Sequence, residues 1–324
     1  MRKTLPTVIL ALVVVTLSVL GFVLGGFNLS QNQLDTLLIL GIICGVSVLY
    51  CFVVGEITGN NSQMDKLWSI LPIAYVWVVA GKGGMNPRLV VYAIIVTLWG
   101  IRLTFNFARK GAYRLKFWEG EEDYRWEILR KKKPLTNRFL WAMFNLFFIS
   151  IYQNVLILGM TLPSLAVMDS TVAFGAFDIV AAVLAVACLL LETISDEQQW
   201  RFHQTKKKLL AEGKALSELP APYDLGFNTT GIWGYMRHPN YLGEQSIWVC
   251  LFIFAIGAGV TTYGIFNWSI IGPMLILLLF SGSSTFGESV SSKKYPLYKA
   301  YQQQVFKYLP FRRFNREKAE NETK

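Results

Sequence analysis

Four side chains able to bind a charged ligand lie between Arg237 and Glu244, just before an apolar stretch. Pro239 suits the first position of a helix, so the segment predicts a helix that begins there. The positive end of the helix dipole and its free backbone N–H groups would then lie beside Arg237 and His238. This combination predicts an anion site.

Asn240 and Glu244 are four residues apart and therefore share one helix face. They would place an amide and a carboxylate below the cations, toward the membrane interior. A ligand with phosphates at one end and an amide-bearing ring at the other matches this order, and nicotinamide adenine dinucleotide phosphate (NADPH) has that form. The alternative is structural: Arg237 extends to the membrane interface and Asn240 only caps the helix.

A pair of carboxylates, Glu192 and Asp196, lies one helical turn apart on another predicted helix. Like charges at that separation repel, so such a pair normally has a cation or a hydrogen-bond donor beside it. We expect the pair to bind a ligand. The alternative is an acidic helix end neutralised by Arg201 or by Lys206–Lys208.

Arg102 lies inside an apolar stretch, where an arginine is costly unless it faces a carboxylate, a ligand or the membrane interface. The sequence leaves two interpretations open for it. One is a role in ligand binding, and the other is a side chain that reaches back to the interface.

The composition indicates a membrane protein. Of 324 residues, 53% are hydrophobic and only 16% are charged, which is more apolar surface than a soluble domain of this size can bury. A crossing takes about 20 helical residues, and the pattern predicts an all-α bundle of seven or eight transmembrane helices. The candidate spans are Thr7–Leu24, Leu37–Val54, Leu67–Ala80, Leu89–Ala108, Leu140–Leu162, Phe177–Ile194, Tyr241–Gly259 and Ile265–Phe280.

The charge distribution supports eight spans with both termini in the cytoplasm. With that topology only Lys82, Arg88 and Arg102 among the 31 basic residues fall outside cytoplasmic segments. The net charge of +10 is then explained by topology and by contact with anionic membrane lipids. The basic residues are spread among short loops without a recognisable binding module, so nucleic acid is not an expected partner.

The remaining features favour a single membrane domain without a metal centre. The four cysteines fall in apolar stretches without a Cys-x-x-Cys pair and are interpreted as small core residues. Two histidines are too few for a zinc cluster. The N-terminal apolar stretch is too long for a signal peptide and is interpreted as a retained helix.

The motif from Arg237 to Glu244, with Glu192 and Asp196 upstream, resembles the C-terminal part of the steroid 5-alpha-reductase superfamily, and especially its DUF1295 branch. Other segments that resemble this branch are Met64–Ser69, Leu98–Thr104, Asp123–Trp126 and the tail around Tyr298, Tyr301 and Pro310. The resemblance implies N-terminal helices (1–60), a reductase-like core (61–310) and a basic tail (311–324).

This resemblance implies a membrane reductase that binds NADPH from the cytoplasm and transfers hydride to a carbon–carbon double bond of a steroid-like or other lipid. Asn240 and Glu244 would contact the nicotinamide end. The cofactor-binding residues carried over or inferred beside them are Glu192, Asp196, Arg237, His238 and Arg102.

The resemblance also implies two groups that polarise the substrate carbonyl. Glu56 is the candidate for an acid that the family's steroid reductases take from an early span. A tyrosine is expected near Arg102, where this chain has Trp99, and an indole cannot supply a proton. Tyr241 is the candidate substitute.

Two other functions stay open. Membrane methyltransferases of the isoprenylcysteine and phospholipid types, which use S-adenosylmethionine, resemble the same C-terminal region. A non-catalytic sterol-binding protein is the second. Short loops without targeting signals favour a bacterial inner membrane, with the endoplasmic reticulum as the alternative, while oligomeric state is not readable from the sequence.

Overall fold

The computed structural model describes residues 5–321, which form helices and turns and contain no β-strand. The all-α prediction is confirmed for these residues. The helices are α1 (Leu5–Gly25), α2 (Gln31–Thr58), α3 (Gln63–Leu67), α4 (Leu71–Lys82), α5 (Pro87–Ala108), α6 (Tyr124–Arg130), α7 (Arg138–Phe144), α8 (Gln153–Ala166), α9 (Ala176–Ala211), α10 (Pro239–Gly257), α11 (Ile271–Lys294), α12 (Tyr298–Gln304) and α13 (Arg316–Asn321). A π-helix, Asn145–Tyr152, joins α7 to α8 without a break.

Five helical stretches in the described part of the chain are long and apolar enough to cross a membrane. They are Gln31–Thr58, Pro87–Ala108, Arg138–Ala166, Ala176–Ala211 and Trp268–Lys294. Two of these stretches begin at a polar N-cap: Ser30 caps α2 and Asn86 caps α5, each by accepting a hydrogen bond from a backbone N–H group. The total number of crossings and the side on which each terminus lies stay predictions, and Arg2 and Lys3 fall outside the described residues.

Several predicted spans differ from the helices observed, and the span predicted to end at Ile194 continues as α9 to Ala211. The stretch predicted as Leu67–Ala80 gives α4, which has only 12 residues and reaches about 18 Å at 1.5 Å per residue. The span predicted to end at Phe280 continues as α11 to Lys294. Its Ser and Thr hydroxyls donate to backbone carbonyls of the preceding turn, as Ser284 and Ser292 do, so the helix does not end there.

The described chain forms two compact units, a larger unit (9–183 and 248–276) and a smaller unit (5–8, 184–247 and 277–321). In the larger unit, large aromatic side chains are completely buried. Trp99 and Trp248 meet edge to face with ring centroids 5.0 Å apart. A β-carbon on Gly272 would lie 1.9 Å from the carbonyl oxygen of Gly159, so these two helices approach through glycines.

The segments Met64–Ser69 and Asp123–Trp126 contact each other in the larger unit. The indole of Trp126 donates to Asp65 over 2.8 Å. Lys66, fully buried, donates to the carbonyl oxygens of Phe117 and Glu119, each over 2.6 Å. Burial raises the pKa of Asp65 and lowers the pKa of Lys66. These contacts attach the loop between α5 and α6 to α3.

A buried ion pair connects the start of α5 to the start of α9. Arg88 and Asp178 are 3% and 0% exposed, and Arg88 Nε donates to Asp178 Oδ1 over 2.7 Å. The same guanidinium donates to the carbonyl oxygens of Val172, Ala173 and Gly257. Every charge in this cluster therefore has a partner, which is the condition for burying it.

Replacing Asp178 by Asn should leave the buried Arg88 guanidinium without a counter-charge. We expect the free energy of unfolding in detergent, measured by circular dichroism, to fall by about 3–5 kcal/mol. The control is Glu197→Gln, which breaks the exposed pair with Arg201 on α9 and should change stability by at most about 1 kcal/mol. Equal small changes in both variants would contradict a structural role for the buried pair.

Candidate functional site

The motif that begins at Gly231 is attached to α9 before it enters α10. Residues Gly231–Gly234 form a 3₁₀ turn. The side chain of Gln198 accepts the backbone N–H of Ile232 over 3.0 Å, and the indole of Trp233 donates to the carbonyl of Ser195 over 2.9 Å. Both contacts lie within one turn of Asp196, so the motif is positioned against the carboxylate pair.

Helix α10 begins at Pro239, as the sequence predicts. One residue later, Asn240 Nδ2 donates to Asp196 Oδ1 over 3.0 Å. Because a carboxylate only accepts hydrogen bonds, this contact fixes the orientation of the amide. Asn240 Oδ1 is buried and accepts no hydrogen bond from any of residues 5–321. The start of α10 therefore contains a buried hydrogen-bond acceptor, Asn240 Oδ1, without a donor among residues 5–321.

A glycine allows α10 to approach α9 beside this amide. A β-carbon on Gly243 would lie 2.7 Å from Glu192 Cβ and 2.9 Å from the carbonyl oxygen of Cys188. Glu192 and Glu244 are each 3% exposed. The contact between the helices thus brings together the two predicted groups, the acidic pair on α9 and the Asn–Glu pair on α10.

Arg237 is held by the C-terminal part of the smaller unit. Its Nε donates to Glu288 Oε1 over 2.7 Å, and a second guanidinium nitrogen donates to Gln302 O over 3.0 Å and also to Val305 O. The side chains of Arg237 and Glu288 are 11% and 8% exposed. The anion beside Arg237 in the structure is therefore the carboxylate of Glu288.

His238 shares the same carboxylate, with Nε2 2.9 Å from Glu288 Oε1. Burial lowers the pKa of His238, assisted by the charges of Lys307 and Arg237, although the hydrogen bond and charge of Glu288 oppose the shift. The imidazole is therefore neutral at pH 7 and donates from Nε2 to the carboxylate.

Tyr241 lies between two rings. Its ring stacks on His238 with centroids 5.2 Å apart and an interplanar angle of 19°, and it meets the edge of Phe280 at 4.8 Å. The role of Tyr241 as a proton donor stays a prediction.

The tail passes over the motif and was not assigned to the site by sequence reasoning. The backbone N–H groups of Arg237 and His238 donate to the carbonyls of Phe306 and Lys307 over 3.1 and 3.0 Å. The hydroxyl of Tyr301 donates to the carbonyl of Trp233. Four tail residues, Tyr295, Tyr298, Tyr301 and Val305, lie in one buried cluster with Leu225 and Phe227.

Glu56 belongs to the larger unit and lies in the last turn of α2. Asn145 Nδ2, at the start of the π-helix, donates to its Oε1 over 2.7 Å, and Arg138 pairs with its Oε2 at 2.8 Å. Both carboxylate oxygens thus accept, which is the pattern of an ionised group. Arg102 lies half-buried in α5 of the same unit.

The chain matches known proteins over most of its length. The model of a family described as "Protein of unknown function (DUF1295)" matches residues 51–305. A protein of Schizosaccharomyces pombe (strain 972 / ATCC 24843) named "Uncharacterized protein C594.04c" is 33% identical over 283 residues, which is 82% of this chain and 79% of that protein. No solved structure matches. The family match includes the motif and the acidic pair and ends before the basic tail.

The close approach at Gly243 predicts a specific sensitivity. Gly243→Ala should force α10 away from the α9 backbone and lower the free energy of unfolding by about 1–3 kcal/mol. The control is Gly287→Ala, because a β-carbon there meets nothing within 4 Å and a helical alanine is favoured. Chemical denaturation in detergent compares the two, and a Gly243→Ala protein as stable as the control would contradict the contact.

The lowered pKa of His238 predicts how stability depends on pH. The unfolded imidazole binds a proton near its ordinary pKa of 6.5, whereas the folded one binds it only at lower pH. The contribution of His238 to the free energy of unfolding should therefore be fully present above pH 6.5 and should decrease as the pH falls below that value.

The effect is measured as the difference between melting temperatures at neutral and mildly acidic pH. His238→Gln should reduce this difference, and His203→Gln, which alters the exposed second histidine, should not. Identical pH profiles in the wild-type protein and His238→Gln would disprove the assignment.

Proposed function

We propose that this chain, which belongs to the DUF1295 family, is an integral membrane reductase that uses NADPH to reduce a carbon–carbon double bond of a steroid-like or other lipid. The family membership rests on the match over residues 51–305. The relative from Schizosaccharomyces pombe bears no functional name. The proposal therefore depends on the chemistry of the site.

The observation that carries the proposal is the buried acceptor of Asn240. Its Oδ1 has no hydrogen-bond partner within residues 5–321 while its Nδ2 is held by Asp196. A buried acceptor left without a donor costs free energy, about 1–3 kcal/mol. The carboxamide of nicotinamide carries two N–H donors, so it fits this atom, whereas a simple carboxylate or carbonyl ligand does not.

The neighbouring groups support the same ligand. When bound, NADPH supplies the hydride that the reaction needs. Asn240 and Asp196 would hold the carboxamide, and Glu192 and Glu244 border that position on the two helices that meet at Gly243. The Arg237–Glu288 pair would stabilise the loop around it, because its guanidinium is bonded to the tail on several sides.

The apolar surroundings support a lipid substrate. Five described helical stretches have the length and hydropathy of membrane spans, so a hydrophobic substrate could reach the protein from the bilayer. Tyr241 is the proposed proton donor because it belongs to the motif itself. Glu56 is the second candidate for polarising the substrate carbonyl, and its pairing with Arg138 and Asn145 favours an electrostatic contribution over proton donation.

Cofactor binding is tested by the thermal stabilisation of detergent-purified protein with NADPH, NADH or S-adenosylmethionine, since a ligand that binds the folded state raises its stability. We expect stabilisation by NADPH. Asn240→Ala and Asp196→Asn should each weaken NADPH binding by about tenfold, because the first removes the acceptor for the carboxamide and the second removes the charge that orients this acceptor. Gln204→Ala, an exposed change on α9, is the control.

Each other outcome identifies an alternative. Stabilisation by S-adenosylmethionine and not by NADPH would assign the chain to the methyltransferases. NADPH affinity that is unchanged in both Asn240→Ala and Asp196→Asn would disprove the proposed carboxamide site. No stabilisation by any of the three compounds would favour a non-catalytic lipid-binding protein.

A further inference from the structure

A polar cleft opens within the C-terminal tail, in the smaller unit. Its volume is about 370 Å³, and it is lined by Gln303, Gln304, Arg312, Arg313, Asn315 and Lys318. None of these six residues is acidic. Five of them carry N–H donors on long side chains, and three of these, Arg312, Arg313 and Lys318, are positively charged. Such a lining suits an anion that accepts several hydrogen bonds.

The two arginines are positioned by aromatic rings. The guanidinium of Arg312 lies over the ring of Phe306, and that of Arg313 lies over the ring of Tyr235, each 5.6 Å from the ring centroid. Stacking of this kind orders the planar group and leaves its N–H edges available. Within residues 5–321 neither arginine forms an ion pair with a carboxylate.

Arg316, close by in the tail, is paired with carboxylates, unlike Arg312 and Arg313. Arg316 pairs with Asp224 over 2.5 Å and with Glu320 over 2.6 Å, and hydrogen bonds to these carboxylates raise the pKa of Arg316. The nearby carboxylates of Asp224 and Glu320 therefore pair with Arg316. The two cleft arginines differ from Arg316: they are exposed and have no carboxylate partner within residues 5–321, so an anion from solvent can reach their N–H groups.

An amide completes the lining. Gln304 Oε1 accepts the backbone N–H of Asn315 over 2.8 Å, which fixes the orientation of the side chain. Gln304 Nε2 is buried and donates to no acceptor within residues 5–321. Gln304 is one of the residues that line the cleft, and a buried donor without an acceptor favours an anion at this position.

We propose that this cleft binds a phosphate monoester. The two guanidinium groups can each bind phosphate oxygens with two parallel N–H donors, and Gln304 Nε2 supplies a further donor. Arg312, Arg313, Asn315 and Lys318 lie beyond residue 305, where the family match ends. Two sources supply such a group: a lipid head group, or the 2′-phosphate of a dinucleotide.

The first test uses inorganic phosphate and pyrophosphate as probes. Thermal stabilisation of the purified full-length protein is measured against chloride at equal ionic strength. We expect a saturable rise in melting temperature that Arg312→Gln/Arg313→Gln weakens by at least about tenfold in apparent affinity. The control Lys207→Gln/Lys208→Gln removes the same charge from exposed positions on α9 and should leave the response unchanged.

Two further variants separate binding from folding. Arg312→Lys/Arg313→Lys keeps the charge but loses paired donors, so phosphate should bind more weakly than to the wild-type protein. Gln304→Leu keeps both arginines and should also reduce the affinity. Equal phosphate responses in the wild-type protein and all cleft variants would overturn the proposal.

The source of the phosphate is identified with soluble ligands. Loss of the preference for NADPH over NADH in Arg312→Gln/Arg313→Gln would identify the 2′-phosphate of the dinucleotide. Loss of stabilisation by dihexanoyl phosphatidic acid relative to dihexanoyl phosphatidylcholine would identify a lipid head group. The inorganic phosphate response tests the cleft itself, so it is independent of whether Asn240 binds nicotinamide.

Discussion

The carboxylate of Glu288 holds three parts of the smaller unit together. It pairs with Arg237 and His238 from the motif loop and accepts a hydrogen bond from Gln302 of the tail over 2.9 Å. A buried charge is costly unless it is paired and hydrogen-bonded, so each of these partners is needed by the others. The loop that leads into α10 is therefore positioned by α11 and α12, not by its own sequence alone.

Once the loop is positioned, one contact decides which atom of the Asn240 amide is available to a ligand. Asp196 can only accept hydrogen bonds when ionised, so it takes the donor of the Asn240 amide and leaves the amide oxygen for another group. This oxygen is buried, and three residues further on, Gly243 allows α10 to approach α9 closely. A site of this kind selects a ligand that donates an N–H at that point, and the carboxamide of nicotinamide is such a ligand.

The parts of the structure that depend on local sequence were predictable. A proline at the first helical position marks the start of α10, and residues four apart share a helix face, which is why the positions of Asn240 and Glu244 could be read directly. The apolar stretches of α2 and α5 likewise contain the predicted spans. The helix ends were less predictable, since α11 continues through Ser- and Thr-rich sequence by bonding those hydroxyls to its own backbone.

Contacts between distant parts of the chain were not predictable. The partner of Arg237 is 51 residues away, and Glu288 had no motif that would identify it. The one available signal was a carboxylate in the helix that continues a predicted span, because a carboxylate that becomes buried requires a cation or hydrogen-bond donors. The donor direction of Asn240 likewise depends on the tertiary contact between α9 and α10.

The most direct test of the central claim compares NADPH with its reduced 3-acetylpyridine analogue, in which a methyl group replaces the amine of the carboxamide. Equilibrium binding of both to the wild-type protein and to Asn240→Ala forms a double-mutant cycle. We expect the wild-type protein to prefer NADPH by about 1–3 kcal/mol and Asn240→Ala to lose this preference. An equal preference in both proteins would show that Asn240 does not bind the carboxamide.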